Sequence, residues 1–386
     1  MSSKLPIVCW GCGEYGDIFV DYMEKYGYDE YFSIEYFLDK CPTKKFRSYK
    51  CFPIYEEFVK GKIVLITNVR YKTEIVNQCI SWGLTENETV FTLASISRLF
   101  SLYERTIGYK SPVLKLSFDN FGDIPQEIFL YALMKRYRIV IDNKNPDVSI
   151  SSVFGNKIIS PDVIRILYTG ENIRPNLTDY DYNIGFDHCT DERYLRWPLY
   201  FLYHHSYIRA LSEYRRFDID SFMQRSFASR VVSKDKAHFR EEFFEALNKR
   251  RYVASGGKLK NNLSGLLPVK DKNGFIKKYK FNLAFENASY PGYATEKIIQ
   301  AFAAGCIPVY WGDPSIDEQF NNKTFINVRS EDSVEQIIEK IIYISERSEE
   351  IEKMFIQAPV INTVKPLKQL SEFLYKSITC GGKARL

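Results

Sequence analysis

Apolar and polar positions in the first hundred residues alternate between short β-type runs and longer helical patterns. The runs LPIVCW, FSIEYFLD and IVLITN predict three strands, and a fourth is expected at residues 90–93. One amphipathic pattern follows the first run through about Tyr26, and another covers residues 71–82. Strands that alternate with helices are typical of a doubly wound parallel sheet. The pattern predicts a Rossmann-like α/β domain at residues 1–108, with helix and linker at residues 94–111.

The rest of the chain continues the α/β pattern. Strands are expected at residues 112–118, 137–143, 147–155, 164–172 and 181–187. From about Ser226, the runs FASRVVS, KYKFNLAFEN and CIPVYWG predict further strands. Helices are expected at residues 238–249 and 295–305, and one long charged helix at residues 333–355. These patterns predict domains at residues 112–225 and 226–355 and a C-terminal helix and tail at residues 356–386.

Composition narrows the class of protein only modestly. The 386 residues are 45% hydrophobic and 26% charged, as in an ordinary globular protein, and the net charge of +5 is too small for a nucleic-acid-binding surface. Eight cysteines without a disulfide framework suit a reducing compartment. The N-terminus does not resemble a signal peptide, and no run of about 20 apolar residues predicts a membrane span. We therefore expect a cytoplasmic protein.

The turn GCGEYG after the first strand has the G-x-G-x-x-G spacing of dinucleotide-binding folds. Its glycines are Gly11, Gly13 and Gly16, and Asp39 at the end of the second strand is placed to hold a ribose hydroxyl. Nucleotide binding and a turn kept only for packing both stay open, and we expect a bulky side chain at Gly13 to crowd the turn. A redox pair in CWGC and an NAD-dependent sugar oxidoreductase are alternatives, although this domain lacks a Tyr-x-x-x-Lys or Cys/His set.

Acidic residues suggest two kinds of chemistry. The triplets Asp179–Asp181 and Asp218–Asp220 have the form that holds a divalent metal on a diphosphate, but triplets this short often arise by chance, and solvated surface is the default interpretation. The four histidines lack metal-ligand spacing, so no metal site is predicted. Glu171 in YTGEN follows an apolar strand, where open α/β sheets bind ligands. It is either a general base or a turn residue.

The stretch FNLAFENASYPGYATEK predicts a strand, a loop and a helix that begins near Ala294 or Thr295. Lys297 would lie in the first turn of this helix, where its charge opposes the helix dipole. Arg240 has the same unfavourable place in another predicted helix. An anion beside each cation would remove the conflict, and two such places suggest a bound diphosphate. Glu296 is a candidate acceptor for sugar or ribose hydroxyls.

At these residues the sequence resembles the α1,3/4-fucosyltransferases of glycosyltransferase family 10, most closely the bacterial ones. The segment FNLAFENASYPGYATEKIIQAFAAGCIPVYWGDPS resembles the family's donor-site motif, and ILYTGENIRPNLTDYDYNIGFD and RYLRWPLY resemble its acceptor-domain motifs. FASRVVS and SGGK match as well. The likeness covers about residues 112–361. The first hundred residues lie outside it and are expected to be a structural or assembly module without a catalytic share.

The resemblance implies a GT-B fold, with two facing Rossmann-like domains, here preceded by an additional Rossmann-like domain. It implies that the central domain is the acceptor side and residues 226–355 the donor side. The implied reaction is inverting transfer of L-fucose from GDP-β-L-fucose to O3 of GlcNAc in Galβ1-4GlcNAc-type acceptors, as in Lewis-type glycan synthesis. Glu171 would be the base, and the implied donor-binding residues are Ser233, Arg240, Asn287, Tyr293, Glu296 and Lys297.

The resemblance also sets expectations about cofactors and partners. No cofactor or metal is required, and the partners would be GDP-fucose and an oligosaccharide or lipopolysaccharide acceptor. A peripheral membrane contact and a homo-oligomer are also considered.

Two departures from the family are Ser233–Lys234, where Ser-Asn is common, and the missing C-terminal heptad repeats. Alternative functions are another GDP-sugar transferase of surface polysaccharide synthesis and a nucleotide-sugar-binding assembly protein.

Overall fold

The computed structural model describes residues 4–155, 160, 162–234, 237–361 and 364–380. The chain divides into two compact units. The first contains Met1–Tyr168, Leu177–Tyr182 and Val364–Leu386, and the second contains Thr169–Asn176 and Asn183–Thr363. The predicted functional boundaries near residues 108, 225 and 355 stay predictions.

Short strands and helices alternate along most of the chain. The strands are β1 (Leu5–Trp10), β2 (Phe32–Leu38), β3 (Lys45–Phe46), β4 (Tyr49–Phe52), β5 (Val64–Ile66), β6 (Val90–Thr92), β7 (Val113–Asp119), β8 (Arg138–Ile141), β9 (Val148–Ser152), β10 (Ile164–Tyr168), β11 (Tyr182–Gly185), β12 (Tyr194–Arg196), β13 (Ser226–Arg230), β14 (Val253–Ser255), β15 (Tyr279–Phe285), β16 (Ile307–Trp311) and β17 (Ile326–Asn327). The helices are α1 (Glu14–Asp21), α2 (Lys72–Ser81), α3 (Ile96–Thr106), α4 (Glu127–Met134), α5 (His204–Glu213), α6 (Ile219–Met223), α7 (His238–Arg250), α8 (Lys272–Ile276), α9 (Glu296–Ala303), α10 (Val334–Ser345), α11 (Ser348–Phe355) and α12 (Pro366–Cys380).

The first unit contains two predominantly parallel arrays of strands. The N-terminal sheet has the order β3-β4-β2-β1-β5-β6, in which only the β3–β4 pair is antiparallel. This confirms the predicted Rossmann-like sheet. A second array runs β10-β9-β7-β8 with parallel pairing throughout. Strand β9 is buried along its whole length, as expected for a parallel strand covered on both faces.

Aromatic side chains join the N-terminal sheet to the rest of the first unit. The Tyr31 hydroxyl donates to the Tyr131 carbonyl at 2.7 Å, and the rings of Phe100 and Tyr131 stack with centroids 3.9 Å apart. Residues around the start of helix α12 add ion pairs to the same region: Lys365, just before the helix, with Asp29 at 2.6 Å, and Lys368 with Glu30 at 3.9 Å. The first hundred residues therefore share a buried core with α4, so they are not a separate body attached by a linker.

The second unit contains the parallel pair β11–β12 and a parallel sheet of order β14-β13-β15-β16-β17. The inner strands β15 and β16 are almost fully buried, and Phe281, Leu283 and Val309 pack with residues of α7 and α10. Burial on both faces explains why these strands appear in the sequence as near-continuous apolar runs. The segments that follow β13 and β15, as far as the first turns of α7 and α9, contain the residues predicted to bind the donor.

Two sequence expectations differ from the structure. The helix predicted at residues 333–355 is two helices, α10 and α11, because Arg347 is extended with φ −124° and ψ 109°. The short strands β3, β4, β12, β14 and β17 were not predicted. Each has at most four residues, which is too short for an alternating pattern to stand out from its surroundings.

Candidate active site

The loop between β15 and α9 is organised around a buried carboxylate. Glu286 directly follows β15 and is 0% exposed. Its oxygens accept hydrogen bonds from the Thr295 backbone N–H at 2.7 Å, the Thr295 hydroxyl at 2.6 Å and Lys297 Nζ at 2.8 Å. Thr295 is the N-cap residue of α9, so the predicted start of this helix is confirmed. Glu286 thus places a carboxylate at the positive end of the α9 dipole.

The charges around Glu286 form a network of alternating sign. Lys297 Nζ also lies 3.6 Å from Glu296 Oε1, and Lys272 Nζ lies 3.9 Å from the same oxygen. Burial alone would raise the pKa of Glu296, but the charges of Lys297 and Lys272 outweigh it and lower this pKa to about 2. Burial likewise opposes the charge on Lys297, yet Glu286 and Glu296 hold its pKa above the usual value.

This network accounts for the placement of Lys297. The sequence suggested that a cation in the first turn of α9 needs an external anion. The chain itself supplies that anion as Glu286, and burial raises the pKa of this carboxyl. Contact between Lys297 and a donor stays a prediction, but the placement of Lys297 alone is no longer evidence for it. Sequence reasoning missed Glu286, although an acid at the end of a buried strand was a visible signal.

Arg240 and Asn287 meet across the carboxyl edge of the second unit's sheet. Arg240 is the third residue of α7, and its Nη1 donates to Asn287 Oδ1 at 3.1 Å. Its Nη2 donates to the Lys234 carbonyl at 2.5 Å. The guanidinium is buried, and its Nε has no hydrogen-bond acceptor among the residues that the structure describes. The buried Nε therefore makes no hydrogen bond among these residues, although Glu241 Oε1 lies 3.5 Å from it.

A second arginine anchors the helix that carries Arg240. Arg230, at the end of β13, donates through Nη1 to both oxygens of Glu241 at 3.0 Å, and its guanidinium lies 3.4 Å from the centre of the Phe244 ring. Glu241 Oε1 also lies 3.5 Å from Arg240 Nε. The ion pair thus fixes α7 against β13. Ser233 is exposed and lies beyond the end of β13, which stops at Arg230, earlier than the FASRVVS run predicted.

Glu171 lies in the second unit, in the loop that follows β10. Its N–H donates to Thr169 Oγ1 at 3.1 Å, and its carbonyl accepts from the Ile173 N–H at 2.7 Å. Burial raises the pKa of the Tyr293 hydroxyl, and the nearby charge of Glu286 and, more weakly, that of Glu171 act in the same direction. Glu171 therefore lies within electrostatic range of Tyr293, which is 1% exposed. The structure places these two predicted residues in one neighbourhood.

The N-terminal glycine turn is stabilised by the protein's own groups. Asp39 accepts the Cys12 N–H at 2.8 Å and the Cys41 N–H at 3.0 Å, so both of its carboxylate oxygens bind backbone. Gly11 has φ +122°, and a Cβ on Gly16 would lie 2.4 Å from the Gly11 carbonyl oxygen. Packing therefore explains these two glycines.

The expected crowding at Gly13 is wrong. A Cβ there would have nothing within 4 Å, and the backbone φ of −83° suits any residue.

The cysteine near Cys12 is not Cys9, the other cysteine of CWGC. Cys12 Sγ lies 3.3 Å from Cys51 Sγ, while Cys9 is buried in the core.

The acidic triplets have structural roles at two of their positions. Asp181 binds the Arg165 guanidinium through both oxygens at 3.2 Å, and Asp218 caps α6 by accepting the Ser221 N–H at 2.9 Å. Within the described ranges, no three Cys, His, Asp or Glu side chains are grouped as metal ligands.

Among the residues that the structure describes, no helix is both long enough and apolar enough to cross a bilayer.

Comparison with known families places this site in a class. The model "Alpha-(1,3)-fucosyltransferase FucT N-terminal domain" matches residues 116–203, and "Glycosyltransferase family 10 (fucosyltransferase) C-term" matches residues 223–377. The chain belongs to glycosyltransferase family 10, whose members are glycosyltransferases. Residues 1–115 lie outside both matches.

Individual relatives agree with the family. The chain is 33% identical over 305 residues to "Alpha-(1,3)-fucosyltransferase FucT" of Helicobacter pylori, a match that covers 68% of this chain and 63% of that protein. It is also 47% identical over 62 residues to human "GDP-fucose protein O-fucosyltransferase 3", covering 15% of this chain and 13% of that protein. The chain thus spans less than two thirds of the length of these curated relatives.

Solved structures match the fold. Crystal structures of an α1,3-fucosyltransferase with GDP-fucose and with GDP align with TM-scores of 0.59 and 0.60 at 30% identity. Each alignment covers 70% of this chain and 91% of the crystallised chain. The predicted α/β fold of GT-B type is confirmed.

Proposed function

We propose that the protein transfers L-fucose from GDP-β-L-fucose, with inversion at the anomeric carbon, to a sugar hydroxyl. O3 of GlcNAc in a Galβ1-4GlcNAc unit is the proposed acceptor, as in Lewis-type glycans. The observation that carries the proposal is the meeting of two sets of residues in the second unit. Arg174 joins them, because it donates to Asn172, the residue next to Glu171, and stacks on Tyr290 in the loop that precedes the Glu296–Lys297 pair.

In the proposed reaction, Glu171 is the general base. Its carboxylate accepts the proton of the acceptor hydroxyl while the oxygen attacks C1 of fucose from the face opposite the diphosphate. The C1–O bond to the β-phosphate breaks as the new glycosidic bond forms, so a β-linked donor gives an α-linked product. GDP leaves with the bonding electron pair. Glu171 is only half-buried, so part of this residue is exposed on the side of an acceptor in the proposed reaction.

The leaving diphosphate is proposed to bind cations of the protein. Arg240 offers a guanidinium whose fork geometry suits phosphate oxygens. Asn287 and Arg240 form one hydrogen-bonded unit, so a donor contact with either residue would also position the other. Lys297 would contribute from within its network with Glu286 and Glu296. Stabilisation by such cations acts where negative charge develops, and we propose that no metal or other cofactor is required.

A direct transfer assay tests this function. Labelled GDP-fucose is offered with Galβ1-4GlcNAc, Galβ1-3GlcNAc and lactose, in parallel with GDP-mannose as donor, and each product linkage is determined by NMR. We expect fucose transfer to Galβ1-4GlcNAc and an α1,3 linkage. A preference for GDP-mannose would instead favour another GDP-sugar transferase. GDP-fucose binding without transfer to any glycan would favour an assembly protein or a protein acceptor.

A further inference from the structure

One arginine outside the predicted site connects the loop that carries Glu171 to the loop that carries Tyr293. Hydrogen bonds bind the ends of the first loop to β11, but those of Glu171 itself are local: its N–H donates to Thr169 Oγ1, and Ile173 N–H donates to its carbonyl. Such bonds shape a turn, but they do not fix its direction. A general base must be held in a productive geometry, so another contact has to orient this loop.

Arg174 supplies that contact with both charge and ring stacking. Its Nη1 donates to Asp187 Oδ2 at 2.8 Å, and its Nη2 donates to Oδ1 of Asn172, the residue next to Glu171. The guanidinium carbon lies 3.5 Å from the centre of the Tyr290 ring and 4.9 Å from that of Phe186. A planar guanidinium can stack and donate in two directions at once, which a lysine ammonium cannot do.

The loop on the other side of this contact is itself firmly held. Tyr293 N–H donates to the Tyr290 carbonyl at 3.0 Å, and Gly292 N–H donates to Asp313 Oδ1 at 2.7 Å. Gly292 has φ +82°, and a Cβ there would lie 2.6 Å from the Phe186 carbonyl oxygen. The turn from Tyr290 to Tyr293 is therefore a fixed reference surface, and the two loops approach each other closely.

We propose that Arg174 is a positioning residue for Glu171. Its guanidinium stacks on the Tyr290 ring and hydrogen-bonds Asn172 and Asp187, which fixes the loop that carries Glu171. The inference rests on the proposed function, because it assigns Arg174 a role only through Glu171. Asn172 accepts a hydrogen bond from Arg174 and directly follows Glu171 in the chain. Displacement of the guanidinium would therefore remove the contact that orients the base. Arg174 itself is given no contact with the reacting atoms.

Kinetics of Arg174→Ala and Arg174→Lys test the proposal. We expect kcat to fall by about 10- to 100-fold in Arg174→Ala, because a small misplacement of a catalytic group is costly. GDP affinity should stay within about twofold, and Arg174→Lys should recover little of the loss. If Arg174→Ala folds poorly, Arg174→Lys alone decides.

Arg251 provides a matched control. It lies in the same unit, its side chain is 39% exposed like that of Arg174, and it pairs with Glu346 at 3.1 Å while lying 4.7 Å from the Phe227 ring centre. Arg251→Ala therefore removes similar contacts elsewhere and should leave kcat nearly unchanged. An equal loss of kcat in Arg251→Ala, or unchanged kcat in both Arg174 variants, would overturn the inference.

A double-mutant cycle separates this inference from the proposed function. If Arg174 acts through Glu171, Arg174→Ala should lower the residual rate of Glu171→Gln by less than about twofold. Additive losses would show that Arg174 acts by another route, while the assignment of the base would stand. Near-normal turnover in Glu171→Gln itself would overturn the proposed base and, with it, this inference.

Discussion

Replacement of Lys297 by Met is expected to destabilise the protein through Glu286, independently of any substrate. Glu286 is 0% exposed and has three donors, of which Lys297 Nζ at 2.8 Å is the charged one. Breaking a buried ion pair by removing one partner costs about 3–5 kcal/mol. Two donors from Thr295 remain, and the Lys297 side chain is 21% exposed, so a loss near the lower end, about 3 kcal/mol, is expected.

The double variant Glu286→Gln/Lys297→Met removes both charges of this pair, and Glu296 keeps Lys272 as its partner at 3.9 Å. The loss in the double variant should be only about 1 kcal/mol, since replacing a buried pair by neutral groups is often nearly neutral. Urea unfolding at pH 8, followed by circular dichroism, measures both losses. Lys280→Met is the control. Lys280 is also buried, but it donates to the Ser345 carbonyl, so its replacement leaves no buried carboxylate without its ion-pair partner.

The pH dependence gives an independent check on the same variant. Burial raises the pKa of Glu286, and loss of Lys297 removes a charge that opposes this rise. A carboxyl whose folded-state pKa is raised contributes stability at low pH that is lost as the pH increases through the folded-state pKa. Lys297→Met should therefore lose less stability at pH 5 than at pH 8. Equal stability of the single and double variants at pH 8 would refute the reasoning.

Three further predictions concern the reaction and the first domain. Glu171→Gln should keep GDP affinity and lower transfer by about 10²-fold or more in a steady-state assay; near-normal transfer would contradict the base. Transfer should survive exhaustive EDTA treatment, and a complete loss that only Mn²⁺ or Mg²⁺ restores would contradict the proposed metal independence. A chain that starts near Ser111 should aggregate or melt at a lower temperature, because Tyr131 loses its contacts with Tyr31 and Phe100; a stable, folded product in calorimetry would argue against a shared core.

Local features of the site were largely predictable from the sequence, whereas contacts between distant segments were not. The strand-loop-helix unit, the start of α9 beside Thr295 and the place of Arg240 in the first turn of α7 follow from apolar periodicity and capping. The stacking of Arg174 on Tyr290 joins residues far apart in sequence, and no local pattern contains it.

The helix break at Arg347 shows a different limit of sequence reasoning. The charged stretch that contains it has no glycine or proline to mark the end of α10, yet the backbone is extended at that residue. Here the packing of apolar faces decides where a helix ends. Ile341 and Ile344 of α10 and Ile351 of α11 all enter the same core, which a periodic pattern alone represents as one long helix.

The charges around the loop between β15 and α9 make Arg240 a stronger candidate for diphosphate binding than Lys297. Glu286 occupies the N-terminus of α9, and Lys297 is already matched by Glu286 and Glu296, so both features that suggested an external anion there are met within the chain. Arg240 differs, because its two hydrogen-bonded nitrogens contact neutral acceptors, and the carboxylate of Glu241, 3.5 Å from its Nε, is shared with Arg230. Among the described residues, α7 also has no side-chain N-cap. A departing diphosphate would therefore gain more from Arg240 and the start of α7 than from Lys297, whose main electrostatic partner is the buried Glu286.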